Sequence, residues 1–182
     1  LAFAPGILQR FVNFMNNPDE ESAVAQFGSG DKYFGVCTLM VTMPGLPMFG
    51  HGQIEGFSEK YGMEYSRSYR DEIPDPELVA RHERDIFPLL RRRHLFAGAE
   101  NFRLYDFQCR HGTIDENVYA YSNSQADEYA LTVFNNSCAP TAGWISQTTP
   151  FTCKTDSEKH PPRHDTLARA LQLHTHGDYF TL

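Results

Sequence analysis

Arg10-Phe-Val-Asn-Phe-Met-Asn-Asn-Pro-Asp-Glu-Glu21 and Met43-Pro-Gly-Leu-Pro-Met-Phe-Gly-His-Gly-Gln53 decide the fold. Each is a short apolar run of strand length that ends in polar or glycine-rich residues. A helix-sized segment lies between them. Strand, helix, strand, with chemistry at the strand ends, is the order of a parallel α/β enzyme. Pro18 pushes Asn17 towards an extended conformation. Asp19, Glu20 and Glu21 then suit the first turn of a helix running to about Phe27, where carboxylates meet the positive end of the dipole. Gly28-Ser-Gly30 breaks that helix, and Asp31 suits the N-cap of a second one reaching about Met43. Tyr33, Phe34, Val36, Leu39, Met40 and Val41 make the second helix apolar nearly all round, which predicts deep burial.

Downstream, Gly50 opens a polar loop that continues to about Pro74. Asp75-Pro76 starts another helix, with Asp at the N-cap and Pro in the first turn. The apolar spacing Leu78/Val79, Ile86, Leu89/Leu90 carries it to about Arg93, and Pro88 kinks or splits it. After Gly98 the pattern changes. Phe102–Phe107, Asn117–Tyr121 and Tyr129–Phe134 alternate large apolar residues with others, as antiparallel strands do. A short amphipathic helix is expected over 165–173, capped by Asp165. The expected division is therefore 1–97, α/β, followed by 98–182, all-β.

The chain has 182 residues, 41% hydrophobic and 13% aromatic, enough to build a core and unlike a disordered segment. Its formal net charge of −7 leaves no basic excess with which to neutralise phosphates, so nucleic-acid binding is not expected. Arg91-Arg-Arg-His94 reads as the positive end of a helix. The uncharged run 33–49 is interrupted by Pro44, Gly45 and Pro47 and is too short to span a bilayer, so no membrane partner is expected. Cys37, Cys109, Cys138 and Cys153 show no C-x-x-C spacing, which points to free thiols and favours a reducing, cytoplasmic setting. His160, His164, His174 and His176 lack the spacing of metal ligands, so no metal site is expected. Leu1 and the apolar end 177–182 give the chain the look of a piece cut from a longer one.

Phe14-Met-Asn-Asn-Pro-Asp19, then the buried helix, then Pro44-Gly-Leu-Pro-Met-Phe-Gly-His-Gly-Gln53, resembles the seventh and eighth strands of the α-amylase superfamily, glycoside hydrolase family thirteen. That family carries a strand ending in Asn-His-Asp and later a Gly-x-Pro strand leading to a Gly-Gln loop. An all-β domain follows its barrel, and Asn117 to Asn136 resembles the opening strands of that domain. The resemblance covers nearly the whole chain. It implies the last strands and helices of a (β/α)8 barrel followed by an antiparallel β-sandwich, as a fragment.

The resemblance also implies a function: part of a retaining hydrolase or transglycosidase acting on α-glucans. Asp19 would be the acid that stabilises the transition state, and Asn17, Gln53 and Tyr61 would contact substrate. Gln53 and Glu55 equally suit a bracing role, and Phe57, Tyr61 and Tyr65 either stack on sugars or pack over the barrel mouth. The family's nucleophilic Asp and acid/base Glu belong to earlier strands, and Glu55, Glu59 and Glu64 are not assigned to those roles. The expected partners are thus an α-glucan and an upstream part of the same polypeptide, and the fragment alone is expected to be inactive. No cofactor is implied; calcium belongs, if anywhere, to the complete parent. The family's His is Pro18 here, and proline has no side-chain donor for a sugar hydroxyl. That departure suggests a pseudoenzyme as one alternative; the antiparallel half of the chain suits another, a noncatalytic carbohydrate-binding or structural module.

Overall fold

A computed structural model of the chain describes residues 4–60, 62, 66–152 and 162–173. Arg10–Arg93 forms one compact unit, and the chain from His94, together with the residues ahead of Arg10, forms the other.

In the first unit β1 (Val12–Phe14) leads through a turn to α1 (Ala23–Phe27), then α2 (Asp31–Thr42), then β2 (Leu46–Met48). The two strands pair in parallel, with Val12 opposite Leu46, Asn13 opposite Pro47 and Phe14 opposite Met48. Pro47 therefore lies inside a paired strand. The Asn13 carboxamide donates to Pro44 O at 2.9 Å, pinning the turn into β2. α2 buries Tyr33, Phe34, Cys37, Met40, Val41 and Thr42. They pack in one cluster with Met15, Ala23, Leu78 and Ile86, which is the core of this unit. Inside it, burial pushes the Cys37 thiol up to about 12.

Two local expectations are corrected. The acidic run 19–21 does not open a helix: α1 begins at Ala23, and Ser22 caps it by accepting from Ala25 N at 3.3 Å. Asn17 instead closes a tight turn, its Oδ1 accepting from the backbone N–H of Asp19 and Glu20 at 2.8 and 3.1 Å. Asx turns of this kind satisfy the same donors that a helix start would. Gly30, not Asp31, is the N-cap of α2. Asp31 is its first residue, and its carboxylate takes Arg81 Nη2 at 2.6 Å.

α3 (Pro76–Arg81) starts as expected, with Asp75 Oδ1 accepting from Glu77 N and Leu78 N at 2.9 and 3.2 Å. A π-helical turn follows over His82–Ile86, then α4 (Phe87–Arg91). Pro88 explains the split. It cannot donate to the carbonyl one turn back, and its ring crowds that carbonyl. The wider turn, with Phe87 N donating to His82 O, makes room. Arg93 closes the unit by donating to the carbonyls of Val41, Met43 and Gly45, the free end of α2 and the turn after it.

The second unit takes α5 (Arg93–Ala97) from His94 onward, of which Leu95 and Phe96 are buried, and four strands: β3 (Arg103–Cys109), β4 (Val118–Gln125), β5 (Glu128–Asn135) and β6 (Gly143–Thr148). They form one antiparallel sheet in the order β5-β4-β3-β6. β6 was not expected from the sequence. Its exposed positions leave too few apolar residues to show the alternation. Ala126, at φ 51°, turns the β4–β5 hairpin. Among the described residues of this unit there is this single sheet, so the second layer of a sandwich is not seen. α6 (Leu167–Ala170) is shorter than expected and is capped by Thr166, whose hydroxyl accepts from Arg169 N at 3.2 Å, not by Asp165.

Candidate functional site

Because β1 and β2 run the same way, the loops after them leave from one end of the pair. Asn16-Asn-Pro-Asp19 follows β1 and Gly50-His-Gly-Gln53 follows β2. Both loops line a notch of about 30 Å³, with Asn16, Asn17, Pro18, Glu20 and Ser22 on one side and His51, Glu59 and Lys60 on the other. His51 and Glu59 also border a larger cavity of about 410 Å³, shared with Phe57, Arg70 and Glu72.

The loop between β2 and α3 is tied across itself by two carboxylates. Glu59 accepts from the backbone N–H of Tyr69 and Arg70 at 2.7 and 2.9 Å. Glu72 accepts from Ser58 N and Oγ and from Glu59 N at 2.9, 2.6 and 2.9 Å. The Ser58 hydroxyl, those two N–H groups and the nearby Arg70 hold the Glu72 carboxyl below its ordinary value. Lys60 Nζ donates to Asp19 O at 2.8 Å and so ties the two loops together.

The residues singled out from sequence fall in different places. Asp19 is exposed at the rim. Asn17 is half-buried in the notch, with its side-chain oxygen engaged in the turn. Gln53 is fully buried and lines neither the notch nor the larger cavity. Its Oε1 accepts from Gly50 N at 3.1 Å, its Nε2 contacts Met15 Sδ at 3.2 Å, and its carbonyl accepts from Tyr33 OH at 2.7 Å. Through the bond to Gly50 its side chain holds the start of the loop. Tyr61 and Tyr65 lie outside the described residues, as do Glu64, Cys153, His160, His174 and His176. His164 sits beside Thr148 O at 3.2 Å.

The sequence did not single out Asn16, His51, Lys60 or His82. His82 is completely buried below the loop. Its Nε2 lies 2.8 Å from Tyr33 O, and Tyr33 spends its proton on Gln53 O, so the ring proton sits on Nε2. Nδ1 is then a bare acceptor, with no partner among the described residues. Burial lowers the His82 pKa, and Glu55 opposes it in part. Burial likewise raises that of Tyr33. The pair is neutral structural support for the loop, not an acid–base couple facing solvent. Among the described residues no cluster of His, Cys, Asp and Glu could hold a metal ion, and no helix is long and apolar enough to cross a membrane.

No family model matches the chain, and no curated protein matches it. Among solved structures it is similar to a noncanonic maltogenic alpha-amylase, AmyB from Thermotoga neapolitana, at 16% identity over 69% of this chain, with a TM-score of 0.46. The chain spans 28% of the length of that structure.

Proposed function

We propose that the chain is the carboxyl-terminal part of a retaining enzyme of the α-amylase superfamily that hydrolyses or transfers α-glycosidic bonds of α-glucans. Residues 1–97 would close the catalytic barrel and residues 98–182 would belong to the β-domain that follows it. One observation supports this reading above the others. The parallel register of β1 and β2 sends Asn17-Pro-Asp19 and Gly50-His-Gly-Gln53 off the same end of the strands, in the order of the family's motifs, at the end where barrel enzymes place their sites.

In this reading Asp19 projects from the rim over the anomeric carbon and steadies the positive charge that develops there. Asn17 fixes the turn that presents it, Lys60 holds that turn from the facing loop, and Tyr61 contacts the sugar. Gln53 acts from below as a brace. The nucleophile and the acid/base come from upstream strands, since the retaining mechanism needs two carboxyl groups about 5 Å apart across the scissile bond.

The test is turnover of an α-glucan by the full-length polypeptide and by the 182-residue chain alone. Activity of the first with retention of anomeric configuration, and none of the second, is the expected result. A full-length protein that binds the glucan without turning it over would favour the pseudoenzyme that Pro18 suggests.

A further inference from the structure

In the second unit a cavity of about 220 Å³ is bordered by the start of β3, the β4–β5 hairpin and α6. That is smaller than a drug-sized pocket and suits a small polar molecule. Asn101, Ser124, Tyr129 and Gln172 line it with amides and hydroxyls, and Arg103 and Arg169 add two guanidinium groups. Ala126 and Gln172, the two non-glycine residues with positive φ among those described, both stand at 51° and both border it. L-residues adopt that backbone at a cost, and such positions gather at ligand sites. Arg103 is held in place: its Nη1 donates to Glu100 O and Phe102 O at 2.9 and 3.0 Å, and its guanidinium lies over the Phe151 ring, 4.2 Å from the centroid. Its Nε and Nη2 have no acceptor among the described residues. Arg169 is anchored at one point only. Its Nε lies 3.6 Å from Asp165 Oδ1, and its side chain is 82% exposed, so its two Nη groups stay available. The same Oδ1 accepts from Thr166 N at 3.0 Å. Asp165 thus fixes Arg169, and the three charges leave the cavity positive in a chain of net charge −7.

We propose that this cavity binds a phosphate group, as free phosphate or as a small phosphate monoester, through Arg103 and Arg169. Planar guanidinium forks match phosphate oxygens. A tetrahedral phosphate turns separate oxygens to two arginines at once, where a planar carboxylate is satisfied by one. The surrounding amides and hydroxyls take the remaining oxygens, or the hydroxyls of a monoester. Because the chain as a whole is acidic, these local donors and not the general field supply the attraction. Phosphate binding here is independent of the α-glucan reading, since none of these residues belongs to the loops after β1 and β2.

Titration calorimetry of the 182-residue chain with inorganic phosphate, glycerol phosphate and acetate, at physiological ionic strength, is the test. At least one of the two phosphates should bind with a Kd of about 1 mM or tighter, and acetate should bind far more weakly. Tighter binding of glycerol phosphate assigns the site to a monoester; equal or weaker binding assigns it to the free ion. Arg169→Ala should weaken binding about tenfold, the scale of hydrogen bonds to a charged group, and Arg169→Lys should recover only part of that. The exposure of Arg169 makes these variants safe for the fold. Arg103→Lys keeps the charge but loses the fork, and should also weaken binding. Arg110→Ala removes an exposed arginine outside the cavity and should leave the Kd unchanged. No binding of either phosphate at about 10 mM, acetate bound as tightly, unchanged affinity in the Arg169 and Arg103 variants, or an equal loss in Arg110→Ala would each overturn the proposal.

Discussion

At the scale of the residue, the exposed carboxylate of Asp19 differs from the side chains that hold the loop. Asp19 uses only its backbone in the turn, through its N–H to Asn17 and its carbonyl to Lys60. Asp19→Asn should therefore leave the fold unchanged while cutting turnover of the full-length enzyme by about a hundredfold, the cost of losing one preorganised electrostatic stabiliser. Unchanged turnover would reduce Asp19 to a rim residue.

His82 predicts a pH effect on stability rather than on rate. Its folded pKa lies below its unfolded value of about 6.5 because burial disfavours the charged ring. As pH falls below 6.5 the unfolded chain takes up the proton first. Stability is thus complete above that point and declines as pH falls, by at most about 1.4 kcal/mol per pH unit. Urea unfolding between pH 7 and 5 should show this slope, and His82→Gln should flatten it. The sequence could not show His82 in this role. Nothing in Ala80-Arg-His-Glu83 signals a buried base, and the partner Tyr33 is far away in the chain. Asn17 and Asp19, by contrast, stand out because a proline between two polar residues after an apolar run restricts the backbone by itself.

At the scale of the element, helices with strong local signals read true. Asp75-Pro76 caps and starts α3, and the all-round apolar α2 is buried, because both effects are set by neighbours in sequence. The errors fall where two local solutions compete. Asn17 and Ser22 can each close a turn, and Ser22 takes the helix because it directly precedes the apolar face. Asp165 loses to Thr166 by one position. β6 was missed because an edge strand with exposed positions carries no burial pattern. Arg93 shows what sequence cannot reveal at this scale, since it joins the start of α5 to the end of α2 and the turn after it across 48 to 52 residues. Its guanidinium satisfies three carbonyls that a finished helix and turn would leave open. Arg93→Ala should destabilise the fold by about 2–3 kcal/mol, the range for hydrogen bonds from a charged donor. Arg93→Lys should recover only part of that, since an ammonium cannot fan out over three acceptors in the same plane. Denaturant unfolding of the two variants measures both.

At the scale of the whole chain, the two-stranded parallel pair is the weak point. Two strands alone are marginal in water. Phe11, Val12, Phe14 and Leu46 stay exposed, Leu46 at 63%. The 182-residue chain by itself should therefore associate, and sedimentation over a range of concentrations should show it. A monomer throughout would count against an uncovered barrel face. Pro47 sets how far association can go. Leu46 N donates to Phe11 O at 3.0 Å, so in a parallel strand the backbone of the next residue faces the opposite edge, where proline has no N–H to offer. Only the β1 edge keeps its full set of donors. A second copy that adds there meets its own counterpart related by a two-fold axis, and the contact closes on itself. The far edge, missing a rung, is a poor template for another strand. Growth is one-sided and therefore finite: the expected product is a pair, and a single imino acid stands between that pair and a fibre.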